Sequence, residues 1–308
     1  MTKLKFMTGL LLAILLGFAS VACGSSNNNS SRTASTAATP AGSSATGGGT
    51  SAIASTAATP PAAQRVTGSM TVFAAASLTD SFNEIATAFK AANPGVDVTF
   101  NFAGSSALRA QLDQGAPADV FASADTNQMT SAAQNGDTVD TGKLFVHNTP
   151  VVITPKDNPA GITSLADLKK PGIKLVLAAP EVPIGNYARQ VLANASKDAA
   201  YGTSFADDVL RNLASNEANV KGVVAKVQLG EADAGIVYGT DVTPSVAGAL
   251  NRIDIPAAVN VVADYPIAVT KEAKNPKAAQ AFIDFVLSNA GQTILEKWGF
   301  QTVRAGTR

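Results

Sequence analysis

Cysteine, histidine and tryptophan are almost missing from this chain of 308 residues, which contains one of each. The single cysteine, Cys23, excludes an internal disulfide. The single histidine, His147, leaves no His/Cys/Asp cluster with metal-ligand spacing, and it does not stand beside a serine as a catalytic base would. Lys and Arg number 23, as do Asp and Glu, so charge gives no indication of a nucleic-acid partner.

Two glycine-rich motifs are absent as well. The chain has no G-x-S-x-G nucleophile elbow and no G-x-G-x-x-G phosphate loop. A serine hydrolase is therefore disfavoured, and we expect a protein that is not an enzyme and needs no cofactor. A structural or adhesive protein of the cell surface stays open at this point.

The apolar run near the N-terminus, residues 10–18, is too short to span a bilayer comfortably. It follows Lys3 and Lys5 and precedes small residues, which is typical of a signal peptide over residues 1–22. Cys23 comes directly after Ser-Val-Ala, and this resembles a bacterial lipobox, in which the cysteine is lipidated and becomes the mature N-terminus. Ser20 replaces the usual leucine, so an ordinary secretory signal with an unmodified cysteine is the alternative.

Residues 24–68 consist almost entirely of Ser, Thr, Ala, Asn, Gly and Pro, without apolar periodicity. Such a composition cannot bury a core. We therefore expect a lipidated N-terminus and a flexible linker over residues 23–68, which tether a folded body to the membrane of the cell envelope, on the extracytoplasmic side.

Strand patterns alternate with helix patterns through the body. Residues 70–75 form an apolar run of strand type, and Leu78, Phe82, Ile85 and Phe89 follow at helical spacing. Similar pairs recur along the chain, at 96–102 with a helix after it and at 173–178 with another. This alternation predicts an α/β fold with mostly parallel sheets flanked by helices.

Two serines stand where a strand gives way to a helix. Ser77 does so in FAAASLTDSF (73–82), and Ser105 does so in FNFAGSSALRAQL (100–112). Taken singly, each is an ordinary helix cap, as Tyr238 taken singly is a core tyrosine at a strand end. Helix N-termini, however, expose unpaired amides and a partial positive charge, so they bind anions without any cation. Because Ile184 and Val220 also stand at predicted helix starts, the four positions together indicate an oxyanion site.

Several segments, in their order and spacing, resemble the periplasmic molybdate-binding proteins of ABC importers: VFAAASLTDSF, FAGSSALRAQLDQGAPADVFASAD, NTPVVITPKDNP, EVPIGNYARQVL, GEADAGIVYGTD and FIDFVLSNAGQTILEKWGF. The resemblance implies the type 2 periplasmic-binding-protein fold with a ligand cleft between two lobes, which hinge closure covers. It places lobe I at 69–148 plus 258–308 and lobe II at 149–257. It also implies a monomer that delivers its ligand to a permease with its ATPase.

In that family, two serines, two backbone amides and a tyrosine hold the oxyanion, and no protein atom ligates the metal directly. Carried over residue by residue, the ligand-binding positions are Ser77, Ser105, Ile184, Val220 and Tyr238. Ile184 replaces a smaller family residue, which leaves its amide in place but changes the pocket wall. Tungstate, sulfate, phosphate or a carboxylate is the alternative ligand, and tungstate is nearly the same size as molybdate.

Overall fold

The computed structural model describes residues 66–303, so the signal peptide, Cys23 and most of the linker lie outside the described residues. Strands and α-helices are numbered in chain order. The strands are β1 (Gly68–Ala75), β2 (Val96–Ala103), β3 (Val120–Ala122), β4 (Lys143–Asn148), β5 (Pro150–Pro155), β6 (Leu175–Ala178), β7 (Leu213–Glu217), β8 (Ala234–Tyr238), β9 (Leu250–Asp254), β10 (Ala263–Val269) and β11 (Gln301–Thr302). The helices are α1 (Thr79–Ala92), α2 (Ser105–Asp113), α3 (Thr126–Asn135), α4 (Pro183–Lys197), α5 (Phe205–Leu210), α6 (Val220–Gln228), α7 (Pro276–Leu287) and α8 (Asn289–Lys297), with short 3₁₀ turns at Ala76–Leu78, Leu165–Lys169 and Gly239–Asp241.

The strands form two sheets, one with the order β11-β4-β10-β3-β1-β2 and one with the order β7-β6-β8-β5-β9. The six-stranded sheet with α1, α2, α3, α7 and α8 is called lobe I here, and the five-stranded sheet with α4, α5 and α6 is called lobe II. The two-lobed α/β fold expected from the sequence is confirmed, whereas the lobe boundaries given above stay a prediction. The chain passes from lobe I to lobe II at Thr149 and returns between β9 and β10.

The expectation of mostly parallel sheets is wrong, because each sheet is mixed. β1 runs parallel to β2 and β3, and β6 runs parallel to β7 and β8, but the other pairings are antiparallel. The two crossings between lobes are the reason. β4 leaves lobe I and β10 re-enters it, and these strands are neighbours, so they must run in opposite directions. The same holds for β5 and β9 in lobe II.

The helical spacing seen in the sequence becomes the buried face of α1. Phe82, Ile85 and Phe89 are each at most 1% exposed. The rings of Phe82 and Phe89 meet Phe282 of α7 with centroids 5.8 and 5.5 Å apart. Full burial of each such side chain contributes roughly 1.5–3 kcal/mol. This packing fixes the position of α1, and with it the turn that carries Ser77.

The only tryptophan of the chain, Trp298, follows α8 directly. Its indole N–H donates to Glu84 Oε2 of α1 at 2.8 Å. Trp298 also lines a groove of about 250 Å³ whose other wall includes Thr240 and Thr243 of lobe II. The indole therefore lies at a seam between the two lobes.

Within residues 66–303, no helix combines the length and the apolarity needed to cross a bilayer.

Candidate functional site

A small cavity lies between the lobes, where the starts of α2, α4 and α6 meet the turn after β1. Its volume is about 10 Å³, far below the roughly 300–1,000 Å³ of sites for organic ligands. Its lining contains no charged side chain and consists of Ala75, Ala76, Ser77, Ala103, Gly104, Ser105, Ala124, Val182, Pro183, Ile184, Asn219, Val220 and Tyr238. All five positions predicted from the sequence therefore lie around one cavity.

Three α-helices begin at this cavity. Ser105 is the first residue of α2, Val220 is the first of α6, and Ile184 is the second of α4, after Pro183. The first amides of a helix have no partner within the helix, and together they carry the positive end of its dipole. Three such ends give a neutral cavity a positive potential, which favours an anion.

The two serines do not cap the helices, so that alternative is wrong. Ser77 lies in the 3₁₀ turn before α1, and its Oγ is 3.0 Å from the hydroxyl oxygen of Tyr265. Ser105 Oγ accepts the backbone N–H of Ala124 at 3.0 Å. Both side chains are buried. Their hydroxyl groups therefore form hydrogen bonds with residues in or behind the cavity wall rather than with the helix ends.

Tyr238 is 1% exposed, yet its hydroxyl is buried without a hydrogen-bond partner among the described residues. An unpaired buried hydroxyl costs roughly 1–3 kcal/mol, so a ligand that accepts its hydrogen removes a penalty. Burial, assisted by neighbouring Tyr265 and Tyr187, raises the Tyr238 pKa well above its ordinary value. The phenol therefore stays neutral and keeps its hydrogen to donate.

Gly185 shows why the first turn of α4 needs a glycine. A Cβ on Gly185 would lie 2.0 Å from the carbonyl oxygen of Ala179 and 2.5 Å from that of Ala178. The start of α4 therefore rests directly on the end of β6. Arg189 secures the same contact, because its guanidinium donates to the carbonyl oxygens of Ala178 and Gly185 at 3.0 and 2.7 Å. The buried side chain of Ile184 joins the cavity wall, and its amide stays at the helix start.

Three residues near the cavity have roles that sequence reasoning missed. Asn219 lines the cavity and caps α6, with Oδ1 accepting the N–H of Gly222 at 3.1 Å. An Asn directly before a helix pattern is typical of a helix cap, so this role could be predicted from the sequence. Tyr265 and Asn148 lie behind Ser77 and are fully or nearly fully buried. Their sequence positions, in strands, carry no such signal.

Lobes I and II touch around the cavity. A Cβ on Gly104 of lobe I would lie 2.6 Å from the carbonyl oxygen of Ala218 of lobe II. Gln128 of α3 donates to the carbonyl oxygen of Glu181 at 3.3 Å, and Lys221 of α6 places Nζ 3.0 Å from Asp80 Oδ2 of α1. The cleft is therefore closed over the cavity.

A buried carboxyl group lies near the Lys221–Asp80 ion pair. Asp241 is 1% exposed, and its Oδ1 is 3.6 Å from Lys221 Nζ, too far for a hydrogen bond. Its Oδ2 accepts the N–H of Tyr238 at 3.3 Å. Burial raises the pKa of Asp241 to about 6, against the opposing effect of Lys221. The Asp241 carboxyl group thus lies next to both Lys221, which pairs with Asp80, and Tyr238, which lines the cavity.

His147 is placed away from this chemistry. Its Nδ1 lies 2.6 Å from Asp264 Oδ1, at the end of lobe I from which the chain crosses, and it is not part of the cavity lining. Among the residues that the structure describes, no three His, Cys, Asp or Glu side chains are grouped to hold a metal ion. The cavity lining itself presents hydroxyl groups and helix-start amides, all of which can donate hydrogen bonds.

Comparison with known proteins places this geometry in a family. The model of the family "Bacterial extracellular solute-binding protein" matches residues 70–301. The molybdate-binding protein ModA of Mycobacterium tuberculosis is 44% identical over 232 residues, which cover 75% of this chain and 84% of that protein. ModA of Escherichia coli is 37% identical over 245 residues, covering 76% and 89%.

A solved structure agrees with the two sequence relatives. It is described as the substrate binding domain of a putative molybdenum ABC transporter from Clostridium difficile. It shares 32% sequence identity, with a TM-score of 0.57 over 77% of this chain and 99% of that one. Sequence and structure comparisons thus point to the same family of binding proteins.

Proposed function

The chain belongs to the bacterial extracellular solute-binding protein family, and on this basis we propose that it captures molybdate for an ABC importer. The observation that supports this most directly is the lining of the cavity. It brings three helix starts and three hydroxyl groups around one small space without any charged side chain. Such a lining suits a small, fully ionised oxyanion.

In this proposal, five donors hold the anion. Ser77 and Ser105 of lobe I and Tyr238 of lobe II donate through their hydroxyl groups, and Ile184 and Val220 of lobe II donate through their backbone amides. Hydrogen bonds to a charged group contribute roughly 1.5–3 kcal/mol each. Because the donors belong to both lobes, the anion itself stabilises the closed cleft. A site without lysine or arginine at the anion also releases its cargo more readily to a permease and its ATPase.

Tungstate has nearly the same size and charge as molybdate, so we expect the two to bind similarly. Sulfate is smaller and should reach fewer donors at good distance. Phosphate keeps a proton near neutral pH, and that proton needs an acceptor which a lining of donors supplies poorly. The expected order is molybdate and tungstate first, then sulfate, then phosphate.

Isothermal titration calorimetry with these four anions tests the proposal. The parent chain should bind molybdate, and Ser105→Ala should bind it about tenfold more weakly, as expected for one lost hydrogen bond to a charge. Ser106→Ala, at the neighbouring serine outside the cavity lining, is the matched control and should bind like the parent. A parent that prefers phosphate or ignores molybdate would contradict the proposal.

Cys23 carries a second, separate part of the proposal: the protein is held at the outer face of a membrane by a lipid on this cysteine. The features that support it are the basic residues, the short apolar run and the small residues before Cys23. A linker rich in Ser, Ala and Thr would then let the binding lobes reach the permease.

A further inference from the structure

Behind Ser77 lies a chain of hydrogen bonds whose direction is fixed at its far end. Asn148 Oδ1 accepts the backbone N–H of Thr149 at 2.9 Å. A backbone N–H can only donate, so the oxygen of this amide must face Thr149 and its nitrogen must face the other way. The Asn148 Nδ2 group donates to Thr240 Oγ1 at 2.8 Å and, over a longer 3.5 Å, to the hydroxyl oxygen of Tyr265.

Tyr265 connects Asn148 to Ser77 in the cavity lining. It is 0% exposed, and its hydroxyl oxygen lies 3.0 Å from Ser77 Oγ. Either oxygen can be the donor across this contact, and a hydrogen supplied by Asn148 to the Tyr265 oxygen favours the arrangement in which Tyr265 donates to Ser77. Ser77 then accepts from Tyr265, and its own hydrogen is left for the cavity that it lines.

The oxygens of Ser105 and Asn219, two other polar side chains of the lining, also accept hydrogen bonds from the protein. Ser105 Oγ already accepts the Ala124 N–H, so its hydrogen is also free for the cavity. Asn219 Oδ1 is occupied by the N–H of Gly222. The oxygens of Ser77 and Ser105 thus each already have one hydrogen-bond partner, and the Tyr238 hydroxyl has none among the described residues. A protonated anion must therefore use a remaining lone pair of a hydroxyl whose hydrogen is directed to the cavity.

We propose that Asn148 and Tyr265 are positioning residues that orient the Ser77 hydroxyl to donate into the cavity and so discriminate against protonated oxyanions such as hydrogen phosphate. This inference rests on the proposed oxyanion function and deepens it. Neither residue belongs to the cavity lining, and both act through the orientation of a hydroxyl that does. The predicted consequence is selectivity, not merely affinity.

Tyr265→Phe removes the hydroxyl that holds Ser77 and changes little else in size. At mildly alkaline pH, molybdate and hydrogen phosphate both carry two negative charges, so their affinity ratio reports hydrogen-bond direction rather than charge. In competition calorimetry, Tyr265→Phe should bind molybdate about tenfold more weakly, while hydrogen phosphate loses less or gains. Tyr201→Phe is the control, because Tyr201 packs on Phe205 in lobe II, outside the cavity, and should behave like the parent.

A double-mutant cycle separates a positioning role from a structural one. In a Ser77→Ala background, Tyr265→Phe should no longer change the ratio of the two affinities, because the hydroxyl that it orients is gone. An equal loss for both anions, or an undiminished effect of Tyr265→Phe in that background, would overturn the inference. Absence of molybdate binding by the parent would overturn the proposed function as well, whereas an unchanged ratio with intact parent binding overturns only the inference.

Asn148→Asp provides a second test that does not depend on the folding of Tyr265→Phe. It keeps the acceptor for the Thr149 N–H but replaces the N–H donor toward Tyr265 with a carboxylate oxygen. Tyr265 would then donate to that oxygen, and Ser77 would turn its hydrogen toward Tyr265 and away from the cavity. The molybdate-to-phosphate ratio should fall further than in Tyr265→Phe. A parent-like ratio would refute the relay.

Discussion

Gly104→Ala should hold the lobes apart without disturbing either of them. Gly104 precedes α2 with φ −61° and ψ 137°, a conformation that alanine adopts without strain. The atoms nearest to its added Cβ are the carbonyl oxygen and carbon of Ala218 and Cγ1 of Val182, all in lobe II. The substitution therefore acts on the contact between the lobes and not on the packing within lobe I.

The size of the effect follows from the distance across the cleft. The Cβ would lie 2.6 Å from Ala218 O, and ordinary contact begins at 3.4 Å, so the lobes must separate by about 0.8 Å (3.4 minus 2.6). Ser105 is the next residue, so the cavity widens by about as much. A hydrogen bond of about 2.8 Å to a donor of lobe II would then stretch to about 3.6 Å, where it is lost. Each lost bond to a charged group weakens binding at least about tenfold.

Calorimetry with molybdate should compare the parent, Gly104→Ala and Gly248→Ala. Gly248 is the matched control, because a Cβ there meets no atom within 4 Å. Gly104→Ala should bind at least tenfold more weakly and Gly248→Ala like the parent. The melting temperature of ligand-free Gly104→Ala should be unchanged or higher, because alanine restricts the unfolded chain. Parent-like binding by Gly104→Ala would refute the closed-cleft argument, and a lower melting temperature would show that the change damages the fold.

Three further predictions concern single side chains. Tyr238→Phe should weaken molybdate binding about tenfold or more, whereas Val220→Ala keeps its amide and should cost less; calorimetry giving the opposite ranking would contradict the assignment of backbone donors. Burial raises the pKa of Asp241 to about 6 in the folded chain, against 3.8 for an ordinary Asp, so the free energy of unfolding should fall by roughly 2 kcal/mol as the pH rises from 4 to 7. Urea unfolding of Asp241→Asn should lack that fall, and an identical pH profile would contradict the assignment. Cys23→Ala should release the protein from membranes in cell fractionation, and unchanged fractionation would exclude the lipid anchor.

Local patterns in the sequence predict the helices and strands that bury one face against the core. The spacing of Phe82, Ile85 and Phe89 marks α1, because burial of one helical face is a property of consecutive residues. The same reasoning misses β7, Leu213–Glu217, whose side chains alternate only between half-buried and exposed. It also misses the antiparallel direction of strands such as β10, because that direction depends on a return crossing from the other lobe.

The candidate site divides in a similar way. Ser105, Ile184 and Val220 are marked by helix starts that a reader of the sequence can see. The Ser77–Tyr265 contact joins residues 188 positions apart, and no local pattern encodes it. Resemblance to a family supplied the five positions together, and the structure adds Tyr265 and Asn148 behind Ser77.

The indole of Trp298 gives this protein an optical signal of its own. It is the only tryptophan, it is held by Glu84 of α1, and it faces Thr240 and Thr243 across the seam between the lobes. Indole emission changes with the polarity around the ring, so a shift in the seam should change the intensity or colour of the fluorescence. Opening and closing can then be followed in stopped-flow experiments on the unlabelled chain, because all of its indole emission comes from one known position.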